Sequence, residues 1–231
     1  LCDTDPMPAL IQWWTQDLLA IAPDAFEDAV QAAGADLLTR WREPHRRYHD
    51  THHLVEIFWA LEELEDAQQV GTRQATVGRL AGWFHDAIYD PTAGAGANEA
   101  DSAQLAHGIL RDLDVAGADG DDIERLVLMT AGHDAGDGRD DPLEAAFHDA
   151  DLWILSADHE RFDAYCALIR EEYAAIPDAA YRLGRAQILR GLADREHVYR
   201  TDYARSEWEP QARNNLDREL DRLAAPALDP A

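Results

Sequence analysis

The sequence predicts an all-α protein, a single bundle of about nine helices, and three observations carry the prediction. Apolar residues recur three and four positions apart over most of the chain, which is the spacing of a helix face. No run alternates apolar and polar residues between hairpin signals, and no internal repeat is visible. The 231 residues, 46% of them hydrophobic, suffice for one domain with a sizeable core. Residues 1–231 are therefore read as one domain. Within it, 1–7 is a start outside the packed part and 177–225 a helical C-terminal extension packed on the core.

The elements follow in order. Leu10, Trp13, Trp14, Leu18 and Ile21 define the apolar face of a helix over 8–21. Pro23 and Asp24 open a second over 25–41, and a short polar stretch with Pro44 follows. LVEIFWALEELED gives a strongly amphipathic helix over 52–66. Another over 74–89 carries Leu80, Trp83, Phe84 and Ile88. The Gly/Ala loop PTAGAGAN separates it from a helix over 99–113, and DVAGADGDD is a turn before one over 123–130. After HDAGDGRDD, helices are expected over 142–155, 158–176, 179–194 and 207–224. GAGAN follows no strand and lacks phosphate-loop spacing, so it reads as a linker.

Charge and cysteine usage narrow the function classes. Forty-six acidic residues face 20 basic ones, all of them Arg, for a net charge of −26. Such a field repels polyanions, so no nucleic-acid polymer is expected as a partner. A small phosphorylated substrate stays compatible, because a metal and local Arg residues reverse the potential where they sit. No stretch of about 18 apolar residues exists, so no membrane partner is expected. The N-terminal LCDTDPMPALIQWW has no basic region and does not read as a signal peptide. The two cysteines, Cys2 and Cys166, fit no metal or redox spacing. Cys166 among apolar helical positions reads as a buried thiol, in keeping with the cytoplasm.

The chemistry lies in the unevenly placed histidines. His45, His49, His52 and His53 cluster in PHRRYHDTHH, His85 and Asp86 adjoin in WFHDAIYD, and His148, Asp149 and Asp151 share FHDADL. A lone helical His is more often a packing or surface residue, and an Asp near a helix start is more often a cap. The His85–Asp86 pair differs, since Trp83 and Phe84 before it and Ala87 and Ile88 after it imply burial. A buried carboxylate needs a cation or several donors, and a metal satisfies both side chains at once. Mixed imidazole and carboxylate ligation suits Mn, Fe, Co, Ni or Zn, with Mg less favoured by the histidines. A divalent metal held this way lowers the pKa of a bound water toward neutrality.

These motifs resemble the HD superfamily of metal-dependent phosphohydrolases, whose order is His … His-Asp … Asp on helices. The chain is most similar to a small bacterial family of predicted HD phosphohydrolases, marked by R-x-Y-H-N-x-x-H, W-F-H-D-x-x-Y, N-E-x-x-S-A and D-A-D-L. Here these read RRYHDTHH (46–53), WFHDAIY (83–89), NEADSA (98–103) and DADL (149–152). The tail EPQARNNLDREL (209–220) also looks like that family's ending, so the likeness spans roughly 40–220. The YHxxxH and ADL elements are similar, more distantly, to cyclic-nucleotide phosphodiesterases.

The resemblance implies roles by position. His53 is the first metal ligand, His85 and Asp86 the central pair, and Asp151 the closing ligand, with Asp149 as its rival. His49 is the candidate acid for the leaving group. Asp50 stands where the pattern has Asn. It reads as a carboxylate favouring the imidazolium form of His49, or as a solvated surface residue.

Other residues carry two readings each. Glu99 is a helix-start acid favoured by the macrodipole, or a catalytic group bonding a ligand histidine, a water or a second metal. His133 in TAGHD is a candidate for substrate contact, whereas His107 reads as packing. Arg46, Arg170, Arg185 and Arg213 are weighed as phosphate contacts against solvated ion pairs, Arg46 being the leading one. His52, next to the ligand candidate His53, would face another direction on a helix, and His45, His159 and His197 read as surface residues. The function these imply is hydrolysis of a nucleotide or another small phosphorylated metabolite. Two alternatives are an HD-type di-iron oxygenase using His107 and His133, and a non-catalytic metal or nucleotide sensor. The intact set of ligand types argues against a decayed site.

Overall fold

The computed structural model describes residues 7–115, 117–132 and 141–225, and among them it holds eleven α-helices, one 3-10 turn and no strand. The helices are α1 (Met7–Ile21), α2 (Glu27–Trp41), α3 (Thr51–Asp66), α4 (Thr72–His85), α5 (Ala97–Asp112), α6 (Ala118–Met129) and α7 (Pro142–Asp151). The 3-10 turn Trp153–Ser156 leads to α8 (His159–Glu172), α9 (Asp178–Ala193), α10 (Asp202–Glu207) and α11 (Glu209–Ala224). Asp50, Asp141 and Asp158 each cap a helix by accepting backbone N–H bonds, so much of the acidic surplus has local structural work. No described helix is long and apolar enough to cross a membrane.

The centre of the bundle is α4. Ten of its residues, including Val77, Leu80, Trp83, Phe84 and His85, are buried, and α1, α3, α5, α6 and α7 all pack around it. Gly78 permits the close approach of α3, since a Cβ there would stand 3.2 Å from Leu61 Cδ1. At the other end Trp14 of α1 lies edge-on to Trp83 and Phe84 and donates from Nε1 to the Val30 carbonyl at 2.7 Å. Buried residues from α1 through α11 form one continuous apolar core.

Several helices stop earlier than the periodicity predicts, for identifiable reasons. The apolar pattern through Ile88 suggested a helix to 89, but α4 ends at His85 with Asp86 as its cap. Side chains satisfy the carbonyls at that end. His85 Nδ1 meets Gly82 O at 2.9 Å, Trp41 Nε1 meets Trp83 O at 2.9 Å, and Arg46 reaches Asp86 O at 2.8 Å and Ala87 O at 3.3 Å. The stretch expected to run to 155 breaks at Asp151. The Tyr199 hydroxyl then takes Leu152 O, while Asn215 Nδ2 takes Leu155 O and Ala157 O. Trp208 divides α10 from α11, which adds a short helix not foreseen. The tail motif thereby finds a structural use, for Glu209 also accepts from the Val198 and Tyr199 amides.

Within residues 177–225, α11 lies against the 3-10 turn, α8 and α9. The face of α9 carrying Arg185, Ile188, Leu189 and Leu192 walls the principal cavity.

Candidate metal centre

Three helix ends deliver the four residues marked as metal ligands to one point. His53 lies in the first turn of α3, His85 closes α4 with Asp86 capping it, and Asp151 closes α7. His53 Nε2 stands 3.3 Å from His85 Nε2 and 3.2 Å from Asp151 Oδ1. His85 Nε2 stands 3.1 Å from Asp86 Oδ2 and 3.4 Å from Asp151 Oδ1. His53, His85 and Asp86 offer ligand atoms all within 4.8 Å of one another. The two imidazoles are buried and the two carboxylates nearly so.

The donor set has the chemistry of a cation site. The Gly82 carbonyl can only accept, so in the neutral ring Nδ1 of His85 carries the proton and Nε2 turns a lone pair toward Asp86 and Asp151. Tyr48 buttresses His53, its hydroxyl 3.0 Å from Nδ1. Lone pairs and anionic oxygens packed this tightly repel one another unless something positive sits among them. The negative ends of α4 and α7 point to the same place and add to the demand. Protonation expresses that demand. Burial works against a charged His85, but Asp86 and Asp151 outweigh it and hold its pKa well above the ordinary histidine value. Burial likewise opposes ionisation of Asp86, yet His85, His49 and His53 hold it far below the ordinary carboxylate range. A divalent metal would take the proton's place, since ligand atoms bind it only when deprotonated.

Asp149 is not part of this cluster. It is fully buried and accepts from the backbone N–H of Arg200 at 2.8 Å, from that of Thr201 at 2.7 Å and from the Thr201 hydroxyl at 2.8 Å. Two residues apart on a helix, Asp149 and Asp151 point to different sides. One ties α7 to the segment before α10, and the other faces the histidines.

A cavity of about 760 Å³ opens beside the cluster and is lined by His49, His53, His85, Asp86, Glu99 and Asp151, among others. His49 sits in the loop before α3, its Nδ1 2.7 Å from Glu172 Oε2. The carboxylate set against His49 is thus Glu172 of α8, whereas Asp50 caps α3 by accepting from His52 N. Glu172 Oε1 accepts from the amides of Arg47, Tyr48 and His49, and Oε2 also accepts from the Tyr89 hydroxyl at 3.0 Å. Burial would raise the Glu172 pKa, but the bond to His49 and these amides pull it down to about 2. The periodicity held a signal for it. Phe162, Tyr165, Ile169 and Glu172 share one buried stripe of α8, and an acid on such a stripe needs a partner.

Other site expectations are redistributed. Glu99, in the first turn of α5, lines the cavity, and its motif neighbours Asn98 and Ser102 bond to the backbone at Asp90 and Ile88. Arg46 is engaged within the fold. Its side chain has no exposed surface, its five N–H groups go to Glu43 and to the carbonyls of His49, Asp86 and Ala87, and its guanidinium lies over Trp41 and Tyr89. Arg170 and Arg213 are likewise bound to backbone carbonyls, whereas Arg185 lines the cavity. His107 is exposed rather than packed and meets Glu124 of α6 at 2.9 Å. His45, His159 and His197 are exposed, as expected, and His52, facing away from His53, is exposed as well. His133 and Cys2 lie outside the described residues. Comparison of the chain with known protein families, with curated proteins and with solved structures finds no match.

Proposed function

We propose that the protein is a metal-dependent phosphohydrolase acting on a nucleotide or another small phosphorylated metabolite, with His53, His85, Asp86 and Asp151 holding a divalent transition metal. One observation carries the reading. A cluster of converging acceptors and a histidine oriented by a carboxylate open onto the same cavity. A divalent cation bound there supplies an activated water and neutralises charge developing on the phosphoryl group.

The chain's own residues supply the rest. Asp86 orients the attacking water or accepts its proton. Glu172 accepts from Nδ1 of His49, which leaves Nε2 to protonate the departing oxygen. Tyr48 and the Gly82 carbonyl orient the two histidine ligands. Glu99 completes the polar side of the cavity, where it meets the substrate or a water. The net charge of −26 favours a small substrate over a nucleic-acid polymer. The buried free thiol of Cys166 suits a reducing compartment such as the cytoplasm. A di-iron oxygenase drawing on His107 has less support, since that ring is bonded to Glu124 at the surface.

Metal analysis of the purified protein together with a phosphoester panel tests the proposal. The expected result is at least one equivalent of divalent metal per chain and turnover that disappears on chelation. Two irons per chain with O₂-dependent oxidation and no phosphatase activity would reverse the reading.

A further inference from the structure

The cavity has a second chemical feature, away from the acceptor cluster. Arg185, in the middle of α9, lines it together with the apolar residues Ile188, Leu189 and Leu192. The Arg185 guanidinium donates to the Tyr165 hydroxyl and lies 5.1 Å from the centre of that ring. Its Nε is shut off from solvent and has no hydrogen-bond partner. Burial pushes the Tyr165 pKa up, so the phenol remains neutral and does not cancel the charge.

An arginine in this condition is out of place in this chain. With 46 acidic residues available, several buried or partly buried arginines meet a carboxylate: Arg79 with Asp17, Arg161 with Glu56, and Arg46 with Glu43. No carboxylate among the described residues pairs with Arg185. Arg185 is half-buried at the cavity wall, and withdrawing even part of a guanidinium from water without an anion costs free energy that an acid from the surplus could have offset. An anion that arrives with the ligand resolves the cost. The planar fork of a guanidinium matches a carboxylate or phosphoryl group through paired N–H bonds, and a low-dielectric wall strengthens them. Tyr165 packs on Tyr48 at 4.5 Å between ring centres, and Tyr48 packs on His53 at 4.8 Å. Two aromatic rings thus stand in the row between the guanidinium and the nearest cluster histidine.

We propose that Arg185 is the second anion-binding group of the cavity and selects substrates that carry an acidic group besides the phosphoester at the metal cluster. The substrate class is a phosphomonoester with a second carboxylate or phosphoryl group, joined through an apolar or aromatic portion that packs on Ile188, Leu189 and Leu192. This rests on the phosphohydrolase reading for the first anion and on Arg185 alone for the second.

The test uses non-hydrolysable probes on the manganese-loaded full chain. Isothermal calorimetry compares phenylphosphonate, its 3- and 4-carboxy derivatives, and benzoate, which carries only the second acid. Wild-type protein is expected to bind the better carboxylated phosphonate about tenfold or more tightly than phenylphosphonate, as suits a charge-assisted bidentate pair. In Arg185→Gln the ratio should fall to near one, and in Arg185→Lys, which keeps the charge but not the fork, to an intermediate value. Thermal melts of both variants establish that they fold. A ratio near one in the wild type, or an unchanged ratio in Arg185→Gln, overturns the proposal. If neither phosphonate binds and no phosphoester is turned over, the phosphohydrolase reading fails and benzoate decides about Arg185. Binding of benzoate by the wild type but not by Arg185→Gln upholds the anion site, and equal binding removes it.

Discussion

Glu172 Oε2 lies 2.7 Å from His49 Nδ1 and couples the C-terminal end of α8 to the loop that delivers the candidate acid. The same carboxylate gathers three consecutive amides of that loop, so one side chain fixes both the backbone and the ring of His49. If His49 protonates the leaving oxygen, its removal should hurt poor leaving groups most. His49→Gln is expected to lower kcat about a hundredfold for alkyl phosphates and far less for p-nitrophenyl phosphate, whose leaving group needs no proton. Glu172→Gln should give a smaller loss, about tenfold, with the same dependence on leaving group. Metal content should stay unchanged in both variants. Equal losses across leaving groups would remove His49 from the acid's role.

The low pKa of Glu172 also gives a pH signature. Its folded-state value, about 2, lies below the ordinary 4.5. Stability from this carboxylate is therefore fully present above about 4.5 and is lost as pH falls through the folded value. Acid denaturation of the wild type and of Glu172→Gln should differ at neutral pH and converge as pH drops from 4.5 toward 2. Parallel curves down to pH 2 would mean that the amide-gathering carboxylate contributes nothing.

The helical class was legible through its periodicity, and the His85–Asp86 pair through its adjacency inside an apolar helix, whereas His53 and Asp151 were named only through the resemblance to the HD superfamily. Helix ends were less legible. They are set by distant side chains, such as Arg46 and Trp41 on the carbonyls of α4, which no local window contains. The same reason hides the partners of Arg46. Beside a histidine motif it resembles a substrate contact, but its partners at Asp86 and Ala87 lie forty residues on. Glu172 was overlooked because it reaches His49 from 123 residues away, although its place on the buried stripe of α8 was readable.

Metal binding should stabilise the fold as well as activate it. Without a metal, the cluster of His53, His85, Asp86 and Asp151 is held together only by the proton that Asp86 and Asp151 keep on His85. Saturation at a hundred times Kd adds about 2.7 kcal/mol. For a chain of this size that corresponds to a rise in Tm of roughly 5–10 °C. Calorimetry of chelated and manganese-loaded protein measures it. Identical melting temperatures with metal demonstrably bound elsewhere would remove the cluster as the site.

The packing of α1 on α2 offers a prediction independent of function. A Cβ on Gly34 would overlap the Trp14 ring, which is fully buried and anchored through Nε1 to the Val30 carbonyl. The ring cannot yield without giving up that bond. Gly34→Ala should cost about 1–3 kcal/mol, the usual range for overpacking, despite the better helix propensity of alanine. Urea denaturation with an unchanged m-value would measure this, and a neutral or stabilised variant would show that α1 shifts freely.

Asp149 and Asp151, two residues apart, should fail in opposite ways. Asp149→Ala leaves the amides of Arg200 and Thr201 and the Thr201 hydroxyl buried without their acceptor. The loss should be about 3 kcal/mol or more, with the metal retained by whatever fraction stays folded. Asp151→Ala removes a negative group from a cluster of acceptors. The metal-free protein should lose some stability, because one of the two carboxylates that hold the His85 proton is gone, while metal affinity falls by at least about tenfold. Melting curves with and without chelator, combined with metal content, separate the two. Loss of metal in Asp149→Ala while Asp151→Ala keeps it would exchange their roles.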